Sequence, residues 1–274
     1  MKLLTWNTQW CCGIDGVVNP QRIVDQARSM LDFDVLCLQE IAVNYPRMQG
    51  GPAHDQVEIL RDLLPGFQLL FGAAVDEWTA EGRQRFGNLI ATRLPVGQVQ
   101  HHVLPSPADG IRSMPRMCTV VTVGDPELGP VRVMTTHLEY YAKRQRMAQA
   151  LALRDLHLDA CARFALPPEP SDDGSPFQTK PHTANAILCG DFNLEPTDPE
   201  YAVLTEAFHD SWRLLHGTKP HQPTFRLFDR RYGPEPIACD FVFVTDGLKG
   251  KVKSLRIDGD TQASDHQPVA VEIS

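Results

Sequence analysis

No apolar run in this chain approaches the ~18 residues that a membrane-spanning helix needs, so nothing in it is expected to cross a bilayer. Cys-x-x-Cys spacing is also absent. The seven cysteines are Cys11, Cys12, Cys37, Cys118, Cys161, Cys189 and Cys239. Cys37 and Cys189 fall inside apolar runs that read as buried strands, so small core residues are expected rather than a disulfide framework or a zinc site. Such usage suits a reducing, cytoplasmic setting. The His101-His102 pair lacks a second ligand pair, which removes zinc there as well. Positive charge is short: 26 Lys plus Arg stand against 34 Asp plus Glu, a net charge of −8 that gives no general attraction to a polyanion and does not favour long nucleic acid. There is no internal repeat. No cleavable leader is expected either, because candidate site residues begin at Asn7.

What is present is a large apolar fraction, 42% of 274 residues, enough for a substantial core. Blocks from both ends of the chain feed one candidate site, so a single domain over residues 1–274 is expected, as a monomer.

The most informative block is Gly190-Asp191-Phe192-Asn193, which closes the buried run Ala186-Ile187-Leu188-Cys189. In extended backbone Asp191 and Asn193 project to one face, while Phe192 between them points into packing. Other strands end in polar residues too. Lys2 to Trp6 runs into Asn7, and Asp34 to Gln39 is an apolar run closed by Glu40, the natural ligand for a hard cation. Val131 to Thr136 alternates and ends at His137, Asp240 opens the run Phe241-Val-Phe-Val244, and Ser264-Asp265-His266 precedes Pro268 to Ile273. Taken singly, each is an ordinary turn, cap or loop residue. Six or seven such strand ends together make one convergent polar site, costly unless a cation and an anionic ligand fill it.

Helix signals are clear at Asn19-Pro20, an N-cap followed by Pro at the first helical position, with Ile23, Ala27, Met30 and Leu31 on one face. Asp198-Pro199 repeats the device. The longest helix is predicted from about Ala142 to Phe164, with Met147, Leu151, Leu158 and Cys161 among its apolar positions. Its first turn carries Lys143, Arg144 and Arg146, which oppose the helix dipole and, beside His137, suggest an anion site. Irregular segments are expected over residues 44–52, 76–86, 105–116 (with Arg112 and Arg116) and 167–183.

The ordered blocks Trp6-Asn7, Leu38-Gln39-Glu40, Gly87-Asn88-Leu-Ile-Ala-Thr92, Thr136-His137-Leu138, Gly190-Asp191-Phe192-Asn193, Asp240-Phe-Val-Phe243 and Ser264-Asp265-His266 resemble the endonuclease/exonuclease/phosphatase superfamily. The resemblance implies an α+β fold of the deoxyribonuclease I kind: a four-layer sandwich of two face-packed mixed β-sheets flanked by helices, with the active site at one edge. It implies Mg²⁺-dependent phosphoester hydrolysis, with Mn²⁺ able to substitute. Residue by residue, Glu40 looks like the principal metal ligand, with Asn7 and Asp265 nearby. Asp191 looks like the residue that orients or deprotonates the attacking water, Asn193 like a transition-state donor, and His266 like a phosphate contact held by Asp240. His137 fits the branches that carry a histidine rather than a tyrosine at that strand end. Arg146-Met-Ala-Gln149 reproduces an Arg-x-x-Gln seen in several branches, and substrate contacts are expected at Asn88, Arg116, Arg144 and Arg146. The leading functional expectation is a phosphodiesterase or nuclease acting on nucleic acid or a small phosphodiester. The alternatives are a phosphatase on a small or lipid phosphate, inositol-phosphatase-like or sphingomyelinase-like, and a non-catalytic binding module.

Overall fold

The apolar runs become strands of two six-stranded sheets in a computed structural model that describes residues 1–274. The first sheet is ordered β11 (Val252–Ile257), β12 (Val269–Ile273), β1 (Lys2–Asn7), β2 (Val35–Val43), β4 (Gly82–Thr92) and β3 (Gln68–Thr79). The second is ordered β5 (Val96–Val103), β6 (Met117–Asp125), β7 (Gly129–His137), β8 (Ala186–Asp191), β10 (Asp240–Val244) and the short β9 (His209–Asp210). Both sheets are mixed. Each contains one parallel pair, β1 with β2 and β7 with β8, and antiparallel neighbours on either side. The parallel registers set Asn7 opposite Gln39 and His137 opposite Asp191, so the polar strand ends of each sheet stand side by side.

Strands apolar on both faces must be covered twice. Leu3, Val35, Cys37 and Ile90 of the first sheet meet Val121, Val133, Ile187 and Val242 of the second in a dry central layer. On its outer face the first sheet packs Leu4, Trp6, Leu36 and Leu38 against α1 (Pro20–Met30) and α2 (Gln56–Leu63). The second sheet packs Met134, Leu188 and Phe243 against α3 (Lys143–Ala165) and α4 (Pro199–Thr205), and the short α5 (Ser211–His216) follows β9. The result is helix, sheet, sheet, helix, the α+β four-layer sandwich expected. All seven cysteines are free thiols, six of them buried, which agrees with their reading as core residues. No helix is long and apolar enough to cross a membrane.

Local signals succeed where the competing partners are near in sequence. Asn19 accepts the Arg22 amide at 3.1 Å and starts α1 as a cap should. Asp198 precedes α4 but accepts the Glu195 amide at 2.8 Å instead, so its helix has no side-chain cap. The segment 76–86 is not irregular: it forms the tip of the β3–β4 hairpin, closed by the Thr79/Gly82 turn and by Arg83 donating twice to Asp76 at 2.7 Å. In α3 the expected apolar stripe is not the buried one. Leu158 is exposed and Met147, Leu151 and Cys161 are half-buried, while Gln145, Arg146, Gln149, Ala150, Leu153 and His157 face inward. Loop backbone meets the glutamines of that face: Gln149 accepts the Glu139 amide at 2.9 Å and donates to the Pro105 carbonyl at 3.2 Å, and Gln145 donates to the Pro107 carbonyl at 3.1 Å.

Gly190 is one of the tightest points of the frame. It has φ +136°, and a Cβ there would lie 1.9 Å from the carbonyl oxygen of Thr136, its partner across the β7–β8 pair. Gly190→Ala is expected to cost at least ~3 kcal/mol from backbone strain and overpacking together. A urea midpoint that does not move would show that β7 and β8 can separate to admit the methyl group.

Candidate active site

The ends of β1, β7, β8 and β10, the middle of β2 and the turn before β12 meet at one edge of the sandwich. There a cavity of about 300 Å³ is lined by Glu40, Arg116, His137, Asp191, Asn193, Asp265 and His266 among others. Backbone strain is concentrated here. Of seven non-glycine residues with positive φ, five are at or beside the cavity: Gln9, Trp10, Cys11, Glu40 and Asn193. Each left-handed residue costs of order 1 kcal/mol or more, so such clustering marks a site whose geometry is held by its surroundings.

Two of these strained residues correct the sequence reading. β2 does not close on Glu40 but continues to Val43, and Glu40 (φ +61°) stands in a bulge where pairing with β4 slips between Leu38 and Ile41. The extra residue bends the strand and re-aims the carboxylate toward the sheet edge. Asn193 does not lie in extended backbone: β8 ends at Asp191 and Asn193 has φ +51°. It reaches the cavity because the chain turns, with Asp191 Oδ1 accepting the Asn193 amide at 2.9 Å, and Phe192 is buried as expected.

Hydrogen bonds link the charged groups into a chain. Asp240 Oδ2 and His266 Nδ1 are 2.9 Å apart, and Thr224 Oγ1 donates to the same oxygen at 2.7 Å. His266 Nε2 lies 3.6 Å from Asp191 Oδ2. Asn7 Nδ2 donates to that Asp191 oxygen at 2.9 Å and to Glu40 Oε1 at 3.2 Å. Phe225 stacks on His266 at 4.2 Å, and the His266 carbonyl accepts from Trp6 Nε1 at 2.9 Å, so the ring is held on one face, at Nδ1 and through its backbone.

The electrostatics follow from who faces whom. Burial opposes charge on His266, but Asp240 and Asp191 beside it push its pKa well above the usual value. Burial likewise works against charge on Asp191, and His266, with help from Asn7, holds it below the ordinary carboxylate value. His137 Nε2 also has Asp191 Oδ2 at 3.3 Å, but that contact is outweighed. Burial and the Arg116 guanidinium depress His137 to about 3, so its ring is neutral. Asn193 Nδ2 donates to the Leu138 carbonyl at 2.9 Å and sits 3.0 Å from His137 Nε2. His137 Nε2 thus has the Asn193 amide and the Asp191 carboxylate both within reach, and Nδ1 faces Glu40 Oε1 at 3.8 Å. Glu40 is pushed up to about 7 by burial and by the charge of Asp265, which burial raises in turn.

Oxygen donors forced together in this way fit a hard cation, and Glu40 with Asp265 and Asn7 is the set that would hold one. Asp191, Cys239, Asp240 and His266 also place ligand atoms within 4.8 Å of one another. Their polar atoms already serve one another, however, and burial keeps the Cys239 thiol protonated.

Residues 4–266 match the Endonuclease/Exonuclease/phosphatase family. The chain belongs to that family. No curated protein sequence matches it. Among solved structures, an endonuclease/exonuclease/phosphatase from Beutenbergia cavernae is 24% identical with a TM-score of 0.73, over 100% of this chain and 72% of that one. The mannosyl-6-phosphatase Bt3783 of Bacteroides thetaiotaomicron is 19% identical with a TM-score of 0.70, over 100% and 99%. Truncated TDP2 of Caenorhabditis elegans is 16% identical with a TM-score of 0.66, over 100% and 97%. At these identities the likeness is one of fold.

Within this family frame the structure sorts the residues named from sequence. Glu40, Arg116, His137, Asp191, Asn193, Asp265 and His266 line the cavity, and Asn7 and Asp240 lie buried beneath it through the bonds above. Three expected substrate contacts lie elsewhere. Asn88 is buried and donates to the Met117 carbonyl at 3.2 Å. Arg144 donates to the Ala108 carbonyl at 3.1 Å. Arg146 is buried against Glu200 at 3.4 Å and donates to the carbonyls of Glu139 and Tyr140, so it clasps a loop instead of facing a ligand. Arg112 sits over the Tyr141 ring at 4.1 Å. Arg116 lines the cavity but is tied to Glu139 at 3.0 Å. The aromatic walls, Trp10, Tyr140, Tyr141, Phe225 and Tyr232, went unread in the sequence. Trp10 and the two tyrosines follow polar strand ends by three or four residues, a signal that was there to use. Nothing local points to Phe225 or Tyr232.

Histidine NMR provides the check on this charge pattern. His266 is expected to titrate well above pH 6.5 and His137 near pH 3, and Asp240→Asn should lower the His266 value. Because the folded pKa of His266 is raised, the stability it contributes is complete below pH 6.5 and is lost as the pH climbs through the folded value. A His266 ring that is already neutral at pH 6.5 would remove the ion pair from the site.

Proposed function

We propose that this family member is a metal-dependent phosphoester hydrolase that attacks a compact phosphodiester with water. The observation that carries the reading is the convergence of Glu40, Asp191, Asn193 and His266, from three separate stretches of chain, on one cavity. Phosphodiesters repel nucleophiles, so hydrolysis requires an aligned water, neutralised non-bridging oxygens and relief of charge on the leaving oxygen. A divalent ion at Glu40, Mg²⁺ by the hardness of the donors and Mn²⁺ in its place, would supply Lewis-acid neutralisation.

The chain's own residues provide the rest. Asp191 keeps its charge through His266 and Asn7 and is suited to orient the water and take its proton. Protonated His266, backed by Asp240, donates toward a phosphoryl oxygen. Asn7 commits its amide to Asp191 and Glu40 and so fixes the two carboxylates, and Asn193 presents an amide at the cavity wall whose bond to a phosphoryl oxygen would strengthen as charge builds on phosphorus. Neutral His137 positions Asn193. The aromatic walls exclude water and suit an apolar or flat substituent on the ester.

Substrate size and charge also favour this reading. The cavity holds about 300 Å³, and its one arginine is already paired with Glu139, so a singly charged diester of small size is better matched than a polyanion. A phosphatase on a small sugar phosphate is the second reading. The cavity's small volume and the fold shared with a mannosyl-6-phosphatase favour it. Hydrolysis of bis-p-nitrophenyl phosphate should exceed that of p-nitrophenyl phosphate and should require added Mg²⁺ or Mn²⁺; the reverse preference would select the phosphatase, and no turnover of either would leave only a binding module.

Variants then test the roles. Glu40→Ala should lower kcat at least ~10²-fold at limiting Mg²⁺, with partial recovery at high metal and an unchanged melting temperature. Asp191→Asn should lose ~10²- to 10⁴-fold, the usual range for removing a general base. Asp240→Asn and His266→Ala should each depress kcat more than KM, and the double variant should be little worse than His266→Ala alone, because the pair acts as a unit. Fully additive losses would show that the two residues work separately.

A further inference from the structure

A second cavity, of about 390 Å³, lies at the other end of β7 from His137, about 16 Å away by strand rise alone. Its floor is the outer face of the second sheet at the β5 edge, its wall is the C-terminal half of α3, and its roof is the segment 168–183. Arg132, which is 92% buried by its 8% relative exposure, lines it together with Arg163, Lys180 and His102.

Arg132 differs from the other buried arginines of this chain. Arg116 faces Glu139 at 3.0 Å and Arg146 faces Glu200 at 3.4 Å, each pair sealed from water. Arg132 has only neutral contacts: the Thr183 carbonyl at 3.2 Å, Met134 Sδ at 3.9 Å and His157 Nδ1 at 2.7 Å. His157 brings no countercharge, since its burial and Arg132 itself depress it to about 4. His102 across the cavity is likewise lowered by burial, by His101 and by the charges of Arg132 and Arg163, as a cationic chamber requires. Asp159 and Glu169 are the carboxylates of the lining, two against three permanent cations, and neither is paired with Arg132.

A buried guanidinium without a counter-ion is costly, and the cost is relieved when an anion occupies the space beside it. A planar fork of N–H donors serves phosphate and carboxylate oxygens alike. We propose that this cavity binds a small oxyanion, with Arg132 as the buried receptor and Arg163 and Lys180 as its cationic rim. The site is separate from the catalytic cavity and does not depend on the reaction assigned there.

The test measures the melting temperature of the full chain against inorganic phosphate and, separately, succinate. At least one of them should raise it saturably, because a ligand that binds only the folded state stabilises it. Response to phosphate alone would assign a tetrahedral headgroup, and response to succinate alone a carboxylate. Arg132→Met should melt higher than the parent in anion-free buffer, bind the active anion at least tenfold more weakly, and keep kcat/KM within about twofold. His266→Ala, which alters the catalytic cavity, should keep the anion response. Should Arg132→Met fail to fold, the double variant Arg163→Gln and Lys180→Gln carries the same expectation of weakened binding. The proposal is overturned if neither anion shifts the melting temperature, if the response survives loss of the cavity cations, or if it disappears with His266→Ala.

Discussion

A carboxylate cannot leave water without a partner, and this fold buries Asp191, Asp240 and Asp265, with Glu40 half-buried beside them, within one edge of a β-sandwich. Two of them, Asp191 and Asp240, are borne by the second sheet, yet each takes one of its partners from the first. Asn7 at the end of β1 donates to Asp191, and His266 before β12 sits against Asp240. Satisfying those charges therefore requires the two sheets to be packed in one relative position. Gln39 adds a neutral tie of the same kind, donating from β2 to Thr135 of β7 at 2.9 Å. Sheet packing and the electrostatics of the candidate site are one constraint.

That constraint explains where the strain sits. The Glu40 bulge, the left-handed Asn193 and the left-handed run Gln9 to Cys11 all bring a polar group to an edge that regular strands would have passed by. Each is unfavourable alone. They persist because the flanking strands are long, apolar on both faces and paired on both sides, so the surrounding packing offsets a few kcal/mol of local strain. Glu40 and Asp265 remain under mutual repulsion, the one part of the arrangement that the protein's own residues do not neutralise.

The buried arginines show the same accounting of charge away from the candidate site. Arg116 and Arg146, with Glu139 and Glu200, secure the loop after β7 and so hold Tyr140 and Tyr141 as walls of the cavity. Arg132 has the burial without the carboxylate, and it faces open space. Conformational and chemical roles thus divide along β7, with a neutral histidine at one end and an uncompensated guanidinium at the other.

Legible in the sequence were the family, through its ordered motif blocks and with it the layer order the resemblance implies, and the polar strand ends that meet at one edge. Those rest on apolar runs and on polar residues at fixed places along them, both of which are local. Asn7, His137, Asp191, Asp240 and His266 were legible for that reason, as were the Asn19 cap and the unpaired cysteines. Tertiary structure alone decided the rest. Whether Glu40 ended a strand or stood in a bulge depended on its pairing with β4. Whether Arg146 met a substrate or a glutamate depended on Glu200, far along the chain. The buried face of α3 was chosen by loop carbonyls and amides that accept and donate to its glutamines, not by its apolar periodicity. Phe225 and Tyr232 became cavity walls only because a distant loop folds over His266. In each case the outcome was set by a partner remote in sequence, whose distance and burial no local pattern encodes.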